Sequence, residues 1–302
     1  MISKTKPCVT VITPTFNSVK TIKKCIYSVL EQSLTNIEMV IVDDCSTDGT
    51  VGFIEKLISN DCRVLFLHNS INRGPGVCRN IGIAKANGEY IYFLDSDDFI
   101  PGNEVLESLY TTAIRNKARI IGGSVYRGKG VENIDIAKKR TQFVLKRYEL
   151  APFDGGFYAY MYKTAFLREN NILFPNYRNF EDPVFLVGAM CVSREYFSCK
   201  EVTYLYTRME KHVLSRQELC DRVSAINNIL SIAGEMRIIN YLMGKNLLDI
   251  FNYSGKCRYL LRQNIVGLMR AILRIRAEDN MSVKLSKTKL IYCFIKGVIK
   301  NG

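Results

Sequence analysis

Apolar and polar positions follow two rhythms along the first hundred residues. Cys8-Val9-Thr10-Val11-Ile12-Thr13 is a β-branched run that predicts a strand, stopped by Pro14. Ile22, Cys25, Ile26, Val29 and Leu30 then recur at helical spacing, which predicts a helix reaching about Gln32 and capped by Asn17 or Ser18. Residues 37–42 are almost continuously apolar, as in a strand buried on both faces. A polar loop follows, in which Thr47 or Asp48 suits a helix cap. Strands are expected over 64–67 and 90–94, with a helix between them that opens after Gly74 and takes Pro75 in its first turn. Such strand–helix alternation predicts a mostly parallel sheet covered by helices, with ligands bound beyond the carboxyl ends of the strands.

Farther on, the pattern predicts a helix over 103–117, a strand over 119–126 and a charged irregular excursion over 127–150. A helix over 158–168, a second one opening at Glu181 and reaching about Cys191, and a strand over 197–208 follow. A polar loop over 209–217 leads into a helical region from Glu218 onward.

Three polar clusters fall at the carboxyl ends of the predicted strands. They are Thr13, Thr15 and Asn17; Asp43 and Asp44 with the loop behind them; and Asp95-Ser96-Asp97-Asp98. Three carboxylates within four residues repel one another unless a cation or a dense hydrogen-bond network offsets the repulsion. Mg²⁺ or Mn²⁺ would do so and would neutralise a bound diphosphate. The plainer alternative is an acidic, solvated helix start. Asp43 can accept from a nucleobase N–H or a ribose hydroxyl, or simply close an Asx turn. Residues 72–80 join a glycine turn to a helix start, and with Arg73 and Arg79 they suit an anion, although neither the GxGxxG nor the Walker spacing is present. Glu181-Asp182 lies among Phe174, Tyr177, Phe180 and Phe185, where a poorly solvated carboxylate makes a better base.

These ordered blocks resemble a family 2 glycosyltransferase of the GT-A fold, from about Val9 to Ser215. The blocks are 11–17, 40–50, Asn72 with Gly74, Arg79-Asn80 and Gly82, then 88–98, and 180–182. The resemblance implies a Rossmann-like, mostly parallel α/β sheet flanked by helices. It also implies inverting transfer of a sugar from a nucleotide-diphosphate donor, UDP-linked by family frequency, to a glycan or lipid-linked acceptor. Carried over by position, Thr13, Thr15 and Asn17 line the nucleotide site, with Asp43 on the base and Asp44 beside it. Arg79 lies near the base or phosphates, Asp95 and Ser96 near the ribose. Asp97 holds Mn²⁺ or Mg²⁺, and Asp182 is the general base. Residues 1–215 form the catalytic domain, with a nucleotide half 1–98 and an acceptor half 99–215. Processive relatives carry a QxxRW-like block, whereas this chain contains no Trp, so addition of one sugar or a few is expected. Arg208 and His212 fall where relatives often carry a lid.

Composition sharpens this picture in three places. The chain is 47% hydrophobic and 24% charged, ordinary for a globular protein. Its net charge of +13 is concentrated at the end: residues 251–302 hold eleven Lys and Arg against Glu278 and Asp279. Residues 216–302 are expected to form a helical basic region, and its tail 251–302 is open to three readings: packing on the catalytic domain or on a second subunit in a homo-oligomer, lying on an anionic membrane, or binding nucleic acid, for which no recognised module accompanies the charge. None of the ten cysteines forms a CxxC pair, and the start of the chain lacks an apolar signal segment. Reduced thiols and a cytoplasmic protein, peripheral at most to the inner face of a membrane, are therefore expected. A sugar-nucleotide pyrophosphorylase is an alternative, but Pro14-Thr15-Phe16-Asn17 stands where that class has a glycine-rich basic loop. A non-catalytic nucleotide-sugar or partner-binding protein of the same fold is a third reading.

Overall fold

In the computed structural model, residues 6–128, 144–147 and 156–207 are described, together with Gln217, Glu218, Asp221, Ser224, Ala225, Asn228, Ile229 and Ile232. The elements run β1 (Val9–Thr15), α1 (Ile22–Leu30), β2 (Ile37–Asp43), α2 (Thr50–Ile58), β3 (Val64–His68), α3 (Pro75–Lys85), β4 (Tyr90–Phe93), α4 (Val105–Arg115) and β5 (Ile120–Gly128). Then come β6 (Val144–Arg147), a 3-10 turn (Phe157–Ala159), β7 (Tyr160–Lys163), α5 (Thr164–Glu169), α6 (Glu181–Ser193) and β8 (Glu195–Thr207).

The strands form one sheet in the order β3-β2-β1-β4-β7-β5-β8-β6. The β3-β2-β1-β4 block is parallel throughout, so all four carboxyl ends, and the polar clusters on them, lie along one edge. β7 enters antiparallel between β4 and β5, and β5 pairs parallel with β8. The apolar run of β2 is buried as expected, with Met39, Val40, Ile41 and Val42 inaccessible to solvent. α1 buries Ile22, Cys25, Ile26 and Val29 as one stripe, each aliphatic side chain contributing about 2 kcal/mol of transfer free energy.

Two expectations are corrected. β1 does not stop at Pro14 but continues to Thr15, with Pro14 in register with Val42. β4 pairs with β1 only as far as Ile12, so the missing N–H of Pro14 interrupts no ladder on that side. The 158–168 helix is instead a 3-10 turn, strand β7 and the short helix α5. Tyr160, Met161 and Tyr162 are fully buried, and an antiparallel neighbour on each side takes up the backbone hydrogen bonds of this four-residue strand. The helix caps also differ in detail. Thr21, not Asn17 or Ser18, is the N-cap of α1, and its N–H bonds the Ser18 carbonyl at 3.0 Å. Asp48 Oδ1 accepts from the Thr50 N–H at 3.0 Å at the start of α2.

The described residues fall into two compact units. The first carries the sheet, and the second carries 177–194 with the described positions from Gln217 to Ile232. In the second unit α6 opens on Phe180 in a left-handed conformation (φ 72°) and buries Val184, Phe185, Leu186, Val187, Ala189 and Met190. Asp221 ties its approach, accepting from the Arg178 N–H at 2.7 Å. No helix among the described residues is long and apolar enough to cross a membrane. Arg208, the expected loop over 209–217 with His212 except for Gln217, and the basic tail 251–302 lie outside the described residues.

Candidate active site

The loops after β1 and β2 are stitched to each other. Asn17, at φ 50°, donates its backbone N–H to Ser46 Oγ at 2.8 Å and accepts from the Thr47 N–H at 2.9 Å. Ser18 donates its N–H to Thr50 Oγ1 at 2.9 Å. Its hydroxyl sits 2.8 Å from Thr15 Oγ1 and 2.8 Å from Ser96 Oγ. A hydroxyl chain therefore joins the ends of β1 and β4. Thr13 is buried beside Cys25.

Asp43 is the last residue of β2 and is fully buried. Its Oδ2 accepts from the Ser46 N–H at 3.0 Å and lies 2.8 Å from His68 Nδ1. Its Oδ1 is buried with no hydrogen-bond partner among the described residues. Sequence reasoning missed His68, whose ring is half-exposed. The signal lies in the register, which sets His68 opposite Asp43 across the β2–β3 ladder, and a lone sequence does not carry register.

Asp44 is used differently. It accepts from Asn69 Nδ2 at 3.0 Å, from the Arg73 N–H at 2.8 Å and from the Gly74 N–H at 2.7 Å. The backbone N–H groups before α3, read from the sequence as suited to an anion, are thus turned on the chain's own carboxylate.

The acidic segment after β4 resolves into separate environments. Asp95 Oδ1 accepts from Arg79 Nη2 at 2.7 Å. Arg79 itself is buried on α3, its guanidinium carbon 4.5 Å from the centroid of Phe157 and 5.2 Å from that of Phe174. Asp98 is buried and accepts from Tyr204 Oη and from the Thr207 N–H, both at 2.6 Å, which anchors the motif to β8. Burial, then the charges of Asp95 and Asp97, pushes the Asp98 carboxyl up to about 8. Asp97 is half-buried; burial first, then the Asp95 charge, pushes it up to about 6. A hydrogen-bond and ion-pair network thus offsets part of the expected repulsion, and Tyr204 is a supporting residue that sequence reasoning missed.

No group of three or more His, Cys, Asp or Glu among the described residues forms a cation cage. The donor set nonetheless fits a hard divalent ion that arrives with its substrate. Mg²⁺ and Mn²⁺ are commonly held by one or two carboxylates plus phosphate oxygens and water, and Asp97 is a carboxylate whose charge its surroundings disfavour. Thr13, Thr15, Asn17, Asp43, Asp44, Arg79, Asp95, Ser96 and Asp97 all lie in the first unit; hydrogen bonds link Thr15 through Ser18 to Ser96 and Asn17 to the loop behind Asp43, whereas Thr13 is turned onto Cys25 and Asp44 onto the turn before α3. Asp182 stands in the first turn of α6, in the other unit, beside the buried Glu181.

Residues 10–179 match the family model for glycosyl transferase family 2, more than half of the chain. Over 93 residues the chain is 45% identical to the putative teichuronic acid biosynthesis glycosyltransferase TuaG of Bacillus subtilis, covering 31% of this chain and 37% of that protein. Over 206 residues it is 31% identical to the poly(ribitol-phosphate) β-N-acetylglucosaminyltransferase TarS of Staphylococcus aureus, covering 65% of this chain and 35% of that protein. The chain therefore spans well under half the length of these curated relatives. The fold matches the crystal structure of S. aureus TarS 1–349 in complex with UDP-GlcNAc, with a TM-score of 0.71 at 23% identity, over 96% of this chain and 90% of that one.

Proposed function

The chain belongs to glycosyl transferase family 2, and on that premise we propose that it moves a sugar from a UDP-linked donor to a hydroxyl of a glycan or lipid-linked acceptor. The transfer inverts the anomeric carbon and stops after one addition or a few. Two relatives are named for anionic polymers, teichuronic acid and poly(ribitol phosphate), and an anionic glycan is the acceptor class we favour.

The observation that carries the reading is the orphaned Oδ1 of Asp43. A buried polar atom left without a partner costs about 1–3 kcal/mol; Asp43 is sealed from solvent, so a uracil imide N–H would reach this oxygen once the loops behind β1 and β2 part. Around that anchor, Thr13, Thr15 and Asn17 bound the nucleotide, and Asp95 and Ser96 meet its ribose. Arg79 holds Asp95 in place through their ion pair. Asp97 would hold Mn²⁺ or Mg²⁺, which when bound supplies positive charge to the departing diphosphate. Asp182 takes the proton from the acceptor hydroxyl as that oxygen attacks the anomeric carbon from the face opposite the leaving group. A retaining route would require a second carboxylate as nucleophile. In this reading 1–215 carries the chemistry on the cytoplasmic side, and the tail 251–302 packs on that domain or on a second subunit, or attaches the enzyme to an anionic membrane face.

A thermal-shift screen of nucleotides and sugar nucleotides tests the reading, since ligands selective for the folded state raise its stability. UDP and UDP-sugars with Mn²⁺ are expected to raise Tm above the shifts given by CDP and GDP. Equal or absent shifts for all of them would overturn it.

A further inference from the structure

A groove of about 870 Å³ lies between α1 and the segment that follows Asp98, outside the donor site. One wall carries Lys20, Lys23 and Lys24 with Tyr27; the other begins at Phe99. Both walls start at the donor rim in the chain, since α1 follows Asn17 and Phe99 follows Asp98.

The groove is built rather than incidental. Buried Gln32 donates to the Gly102 carbonyl at 2.6 Å and accepts from the Leu106 N–H at 3.0 Å. Ser28 Oγ accepts from the Ile100 N–H at 3.1 Å, and the Ser33 N–H bonds the Asn103 carbonyl at 2.7 Å. These bonds fix the distance between the walls.

The lysines stand against local electrostatics. They crowd the start of α1, where the helix dipole disfavours cations, and no acid occupies that first turn. Lys23 and Lys24 stand in the first turn and Lys20 just before the Thr21 cap, so three like charges fall within five residues. All three are exposed, and none forms an ion pair among the described residues. Glu31 is the one carboxylate among the described lining residues. Aromatic faces give partial relief: Lys24 Nζ is 3.6 Å from the Phe99 centroid and Lys23 Nζ 5.8 Å from that of Tyr27.

We propose that this groove is a second binding site, for an acceptor chain of hydroxyl-rich units joined by phosphodiesters. The phosphates pair with Lys20, Lys23 and Lys24, and the carbon faces of the units lie on Tyr27, whose ring is exposed. The assignment of the occupant as acceptor rests on the glycosyl-transfer reading. Concave, prefixed walls suit a narrow chain better than a lipid surface. The Phe99 face is already covered by Lys24, which leaves too little open ring for stacked nucleobases.

The test uses the full chain as wild type, as K20Q/K23Q/K24Q, and as K56Q/K85Q/R115Q, a charge-matched control on exposed positions elsewhere. Binding of a fluorescent ribitol-phosphate octamer is read by anisotropy, and UDP binding by calorimetry on the same samples. The groove variant is expected to lose at least tenfold in octamer affinity, the control less than twofold, and both to keep wild-type UDP binding. Equal loss in both variants would overturn the groove while leaving the transfer reading intact. A neutral dextran octamer bound as tightly would also overturn it. So would a DNA 12-mer or phosphatidylglycerol vesicle that binds more tightly through the same lysines. Absent UDP binding with the octamer result intact would overturn the transfer reading and support the groove as a polyanion site.

Discussion

Arg79 Nη2 lies 2.7 Å from Asp95 Oδ1, and the arginine is almost wholly buried while the carboxylate keeps a quarter of its side chain in solvent. The pair fixes the end of β4 to the middle of α3, and Phe157 and Phe174 pack on the guanidinium. Removing one partner of a buried pair leaves the other uncompensated. Arg79→Ala should therefore destabilise the protein by roughly 2–3 kcal/mol, water at Asp95 moderating the upper end. Arg79→Lys should recover about half, since it restores charge without the planar stack. Urea unfolding midpoints check both; an unchanged midpoint for Arg79→Ala would refute the structural role.

Glycines at two contacts set how closely elements approach. A Cβ on Gly88 would sit 2.4 Å from the Thr10 backbone nitrogen, and one on Gly82 would sit 2.3 Å from Ile12 Cγ2. Backbone gives way less than a side chain. Gly82→Ala should cost about 1–3 kcal/mol as an overpacked core, and Gly88→Ala more. Thermal denaturation of the pair reads the order, and Gly88→Ala melting above Gly82→Ala would contradict it.

Thiol reactivity should follow burial. Cys25 is fully buried, and burial raises its thiol far above the ordinary range; burial likewise pushes Cys78 up to about 12. Cys62 is exposed. Brief alkylation of the folded protein at pH 8, followed by peptide mass mapping, should label Cys62 and spare Cys25 and Cys78. Labelling of Cys25 at the rate of Cys62 would mean that Cys25 is not buried beside Thr13 as described.

Asp97 and Asp182 should fail in different ways. Asp97→Ala should lose Mn²⁺-dependent UDP binding by tenfold or more along with transfer. Asp182→Asn should keep UDP binding within about threefold and lose transfer by 10²–10⁴, the usual yield of a general base. Binding by calorimetry and turnover by UDP release separate the two, and full turnover by Asp182→Asn would show that another group takes the proton.

The parallel block was legible because β1 opens as a β-branched run, β2 and β4 are nearly continuous apolar runs, and their loops carry the polar clusters. β7 was not. Tyr160-Met161-Tyr162 can fill a helix face as readily as a strand, and only its neighbours β4 and β5, distant in sequence, decide the matter. Asp95, Asp97 and Asp98 read as one acidic group along the chain. The structure separates them through Arg79 and Tyr204, the latter 106 residues away from Asp98. Pairwise chemistry of that range is invisible to local spacing, and so is the register that brings His68 to Asp43.

The central claim is that Asp43 receives the nucleobase. Calorimetric titration of UDP with Mn²⁺ into wild type and Asp43→Asn measures it most directly. Asn presents the same outline and keeps one carbonyl oxygen for the Ser46 N–H, but it turns the second acceptor into a donor. We expect at least a tenfold loss of UDP affinity, about 1.4 kcal/mol, with the melting temperature close to wild type. Unchanged UDP affinity in Asp43→Asn, with the protein folded, would contradict the account.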